Sequence, residues 1–144
     1  MVQKFPKRDE CRILYHITLK ENLDSILDKG LIPDIGSQCT HCKNDNPTEK
    51  LVYMTDLEGI AKWKKALYGN SNSCVILEVN TLNLEIIYRR KFVEGTEYAC
   101  KETILPDRLK IITLKWKILF NMLFIVIERD YVGTLNQQSV KVHL

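Results

Sequence analysis

Three side chains in this 144-residue chain combine useful chemistry with a local pattern that would hold them in place: His16, Tyr53 and Glu97. His16 lies in Leu14-Tyr15-His16-Ile17-Thr18, within a stretch whose β-branched and aromatic residues predict a strand over residues 12–18. An inward imidazole there would hydrogen-bond a core group or a ligand. Tyr53 lies in a second short strand, Val52-Tyr53-Met54, and its ring offers an electron-rich face to flat or cationic partners. Glu97 opens Glu97-Tyr98-Ala99-Cys100, where a carboxylate offers a negative charge and hydrogen-bond acceptors at the head of a strand. Singly, each residue type is more often structural than functional.

The surrounding elements give these residues their setting. Thr18 and Glu21 have the spacing of a capping box. Leu23, Ile26 and Leu27 then recur at helical spacing, and Gly30 and Pro33 supply a helix stop. Asp56 reads as an N-cap for a helix over residues 57–67, with Ile60, Trp63 and Leu67 as its apolar stripe. Further strands are expected over residues 74–79, 84–88, 108–114 and 117–127, with another near residues 140–142. The apolar stretch over residues 118–127, interrupted by Asn121, reads as a buried central strand, or as a strand with a bulge at Asn121. Two helices near the start followed by many strands give an α+β class.

In that order and context, the segments over residues 14–109 resemble the NAD-dependent mono-ADP-ribosyltransferase superfamily. The opening Tyr15-His16-Ile17-Thr18 with Asn22-Leu23 is most similar to toxins that modify DNA bases. The resemblance implies an ADP-ribosyltransferase-like split β-sandwich, with two packed antiparallel-rich sheets and NAD, the co-substrate, in the cleft between them. It implies that Glu97 is catalytic, that His16 and Thr18 bind NAD, and that Tyr53 clamps the nicotinamide. Two nearby carboxylates fit the pattern less well. Glu102 falls too close to the turn at Pro106, and two residues separate Glu94 from Glu97, whereas the arginine-specific branch separates its acidic pair by one. The cation for the diphosphate is left open among Lys29, Arg12 and Arg89. The implied activity is cleavage of NAD and transfer of ADP-ribose to a macromolecular acceptor, DNA, RNA or protein, as in a toxin or defence effector. The alternatives are a non-catalytic binding module of the same fold and an RNA 2′-phosphotransferase, which would rely on basic residues rather than Glu97.

Composition is compatible with this. A length of 144 residues predicts one domain, with residues 1–10 and 133–144 flexible at its ends. Hydrophobic residues make up 45% and charged residues 27% of the chain, an ordinary globular balance. The net charge of +3 permits a nucleic-acid partner without requiring one. Arg89, Arg90 and Lys91 form the densest basic run, expected in a loop before Glu97, where it would meet the phosphates of a nucleic-acid target. Residues 1–10 are polar and charged, unlike a signal peptide, and no apolar run is long enough to span a bilayer. The expectation is a cytoplasmic chain with no membrane partner. Five cysteines without a signal peptide argue against a disulfide framework. Cys39-Thr40-His41-Cys42 has ligands for zinc but lacks a second pair, so it is read as part of a polar loop over residues 36–50 that would cover the cleft or contact a target.

Overall fold

Strand β1 (Ile13–Leu19) is buried on both faces, which is why its sequence is almost continuously apolar. Side chains on a strand alternate between faces, so Leu14 joins one core and Tyr15 and Ile17 another. The first core also holds Ile26 of α1 (Leu23–Lys29), and the second holds Ile60 of α2 (Ile60–Tyr68). Each helix therefore seals one face of the sheet at β1. The computed structural model describes residues 13–34, 49–69, 73–119 and 122–130. Within them the architecture is mixed α and β, with two helices and a seven-stranded antiparallel sheet.

The remaining strands are β2 (Val52–Thr55), β3 (Cys74–Asn80), β4 (Ile86–Phe92), β5 (Gly95–Cys100), β6 (Leu109–Leu119) and β7 (Met122–Asp130). Their hydrogen-bonded order is β4-β5-β2-β1-β3-β6-β7. The expected pair of packed sheets is thus replaced by one continuous sheet, but with a thin seam. Strand β1 pairs with β3 along its whole length, from Ile13–Asn80 to Leu19–Cys74. Strand β2 pairs with β5 from Val52–Cys100 to Thr55–Glu97. The two halves meet between β1 and β2 at Tyr15–Thr55 alone.

Several local expectations shift. The first strand is followed by a 3-10 turn, Lys20–Asn22, before α1, and no side chain caps either. The Thr18–Glu21 capping box does not form; Thr18 is buried and its hydroxyl accepts from Asn22 Nδ2 at 3.3 Å. Gly30 ends α1 with φ +84°, as its position predicts, and Leu31 and Ile104 then exchange backbone hydrogen bonds of 2.9 and 3.0 Å. Helix α2 starts at Ile60 rather than residue 57. The apolar 118–127 stretch is two strands, not one: β6 and β7 pair as a hairpin up to Leu119–Met122, and β7 is the sheet edge rather than its centre. The periodicity of a hairpin whose two arms are both apolar is indistinguishable from that of one long strand. The basic run also moves: Arg89, Arg90 and Lys91 belong to β4, not to a loop. The loop over residues 36–50, the Cys39-His41-Cys42 cluster, Arg12 and the strand near residues 140–142 fall wholly or largely outside the described residues. Among the described residues, no helix is long and apolar enough to cross a membrane.

Candidate functional site

Because β2 follows β5 and touches β1 at a single pair, β1 and β2 diverge, and a cavity of about 480 Å³ lies along the divergence. His16 and Ile17 line it from β1, and Tyr53, Met54 and Thr55 from β2. Helix α1 and the turn after it contribute Ser25, Ile26 and Leu31, and α2 contributes Trp63, Leu67 and Tyr68. Glu97 of β5 completes the wall. The three residues singled out in the sequence therefore come from three strands and share one cleft. Its volume is that of a small-molecule site, and its lining is of the usual kind, mostly apolar with a few convergent polar groups.

His16 bridges the gap in the sheet. Its Nδ1 lies 2.8 Å from the backbone carbonyl oxygen of Tyr53. A carbonyl can only accept, so Nδ1 carries the proton and Nε2 of the neutral ring is left as an acceptor. The imidazole thus replaces a ladder hydrogen bond where β1 and β2 part, and it fixes its own tautomer in doing so. Desolvation by burial lowers the His16 pKa below its ordinary 6.5, partly offset by the bond to Tyr53. The unfolded chain then takes up this proton before the folded one does. The stability associated with neutral His16 is complete above about pH 6.5 and is lost as pH falls from there toward the lower folded value. A difference titration should show this. Urea unfolding of the parent and of His16→Asn between pH 5 and pH 8 should give curves that converge as pH falls; curves that stay parallel would remove burial as the dominant influence on this ring.

Glu97 is 3% exposed, in contrast to its two sequence neighbours. Glu94 is at the surface, where it pairs with Lys62 at 3.2 Å. Glu102 is also exposed and accepts from the Glu85 backbone N–H at 3.2 Å. Of these three carboxylates, only Glu97 lines the cleft. Its place is set by a lock between β2 and β5. Thr96 N–H donates to Asp56 Oδ2 at 2.9 Å, and Thr55 Oγ1 donates to the Thr96 carbonyl at 2.9 Å. The other oxygen of Asp56 accepts from Gly59 N–H at 3.0 Å. Asp56 therefore holds the turn that leads into α2 and the start of β5 together, a larger task than the helix cap expected of it.

Arg89 is the residue whose position the sequence misjudged most. In the β4–β5 ladder Tyr88 faces Tyr98 and Arg90 faces Glu97, so Arg89 is the extra residue of a β-bulge. Its Nε lies 3.7 Å from Glu97 Oε1, and its guanidinium carbon 5.7 Å from the Tyr53 ring centroid. On its outer side, Glu49 Oε2 is 4.0 Å away, and Glu49 in turn pairs with Lys101 at 2.7 Å. Lys91 is exposed. Thr18, expected at the NAD site, is buried behind the cleft wall and does not line it. Neither Lys29 nor Arg89, the described candidates for holding a diphosphate, lines it either; Lys29 is exposed in the last turn of α1. Among the described residues, no group of three or more His, Cys, Asp or Glu is arranged to hold a metal ion.

Compared with known proteins, the chain matches no protein-family model, no curated protein and no solved structure.

Proposed function

We propose that this chain is a mono-ADP-ribosyltransferase that cleaves NAD in the β1–β2 cleft and transfers ADP-ribose to a macromolecular acceptor. The observation that carries this reading is the convergence of His16, Tyr53 and Glu97, from three separate strands, on one cavity of about 480 Å³. In NAD the glycosidic bond joins a ribose to a cationic pyridinium. When that bond breaks, its electron pair moves to the nicotinamide nitrogen, and positive charge develops on the ribose. A carboxylate held in a largely apolar, water-poor wall stabilises that charge far better than one in bulk water. Glu97 would do this and accept a hydrogen bond from a ribose hydroxyl. It would also take the proton that the acceptor nucleophile loses on attacking the ribose carbon. His16 Nε2 would accept from a second ribose hydroxyl, and Tyr53 would lie against the nicotinamide ring.

The alternative RNA 2′-phosphotransferase reading is less well supported. It calls for basic groups in the cleft, and among the described residues no lysine or arginine lines it. The deciding experiment is release of nicotinamide from NAD by the purified protein, alone and with cell lysate, DNA or RNA. Release that rises with one class of acceptor is expected. NAD binding by calorimetry without any release would make the chain a binding module, and the absence of both binding and release would refute an NAD site altogether.

A further inference from the structure

We infer that Arg89 is a positioning residue for Glu97, built into the site by the β4 bulge rather than belonging to a target-binding surface. The inference rests on the reading of the cleft as an NAD-cleaving site. A regular β4–β5 ladder would set residue 89 opposite Glu97, with alternation dictating a single side-chain direction. Inserting one residue at this point sets Arg90 opposite Glu97 instead, leaves Arg89 outside the ladder and frees it from that alternation. The result is a guanidinium with two partners at the site. Its Nε is 3.7 Å from Glu97 Oε1, and its carbon centre lies within cation–π range of Tyr53 at 5.7 Å.

Arg89 itself does not line the cavity, whereas both of its partners do. It therefore grips Glu97 and Tyr53 from behind the wall. Its side chain is 16% exposed, so these interactions are less screened than a surface pair would be. The planar guanidinium suits this double role, because it can pair with a carboxylate along its edge while presenting its face to a ring; a lysine ammonium cannot do both. From outside, Glu49 and Lys101 extend the array as alternating charges, Lys101 to Glu49 to Arg89 to Glu97. Glu49 keeps the guanidinium from being drawn wholly into the cleft, and Lys101 keeps Glu49 in place.

A group that only orients the catalytic carboxylate affects turnover more than substrate binding, and a displacement of about 1 Å can lower a rate on the order of 100-fold. Arg89→Gln should therefore lower kcat for nicotinamide release by about 100-fold while KM for NAD stays within about 3-fold. Methylguanidinium added to Arg89→Ala should restore part of kcat, and ethylammonium should not. Should Arg89→Gln fold poorly, Glu49→Gln tests the same array one partner further out, with a smaller fall in kcat and an unchanged KM. Unchanged kcat in Arg89→Gln, or equal rescue by both cations, would overturn the positioning role. Weaker acceptor binding with a flatter salt dependence, and no change in kcat, would return Arg89 to a phosphate-facing surface. If the parent protein neither binds nor cleaves NAD, the reading of the cleft fails and this inference fails with it.

Discussion

On the proposed cleavage of NAD, replacing Glu97 with glutamine is expected to lower nicotinamide release by about 100- to 1000-fold, the size of effect seen when one preorganised charge-stabilising group is removed from an active site. Glutamine keeps the volume and one carbonyl acceptor, so NAD affinity should stay within about 3-fold. In the proposed reaction the loss would belong to the step in which positive charge appears on the ribose, because only then is the full carboxylate charge needed. The controls are Glu94→Gln and Glu102→Gln. Both side chains are exposed and do not line the cleft, so both variants should release nicotinamide at rates close to the parent's. Steady-state kinetics with calorimetric NAD binding separates the cases. Normal turnover in Glu97→Gln would remove this residue from the chemistry, and a dead Glu102→Gln would place the reacting centre on the other side of the β5 turn.

The second large effect is structural. Gly95 begins β5 with φ +134°, and a Cβ there would collide with the backbone of Gly59 and with Asp56 Oδ1. Both obstacles belong to the lock that sets Glu97, so neither can yield cheaply. Gly95→Ala is expected to cost about 3 kcal/mol, from backbone strain and overlap together. In a chain of this size that lowers Tm by on the order of 10 °C. Gly69→Ala is the internal comparison: it too has positive φ, at +59°, but nothing lies within 4 Å of the added methyl group. It should cost about 2 kcal/mol, the strain alone, because φ +59° with ψ −129° is a backbone region that alanine rarely adopts. Thermal and urea unfolding of the two variants would measure this contrast, and equal losses would mean that the close approach of Gly95 to Gly59 contributes nothing. On the proposed activity, Gly95→Ala should also lose nicotinamide release beyond its loss of stability, because Glu97 lies two residues away on the same strand.

The elements that proved legible from sequence are those whose signal is local. Strand β1, the stop at Gly30, the short Tyr53 strand and the proline turn into β6 each follow from periodicity or backbone preference over a few residues. Since β1, β2 and β5 each carry one chemistry-bearing side chain, the identity and order of His16, Tyr53 and Glu97 were also visible in the linear pattern. Their convergence was not. It depends on β2 pairing fully with β5 while touching β1 at Tyr15–Thr55 alone, a relation between segments about forty residues apart that no local propensity encodes. The same is true of Asp56, whose carboxylate has the local pattern of a helix cap, while its tie to Thr96 spans 40 residues. Arg89 is the clearest instance. A run of three basic residues has the local character of a solvated surface, and the tertiary structure turns its first member toward Glu97 through a one-residue slip in the β4–β5 ladder. Bulge placement is decided by how two strands twist and pack against the rest of the sheet, so the direction of that side chain exists only in the folded chain.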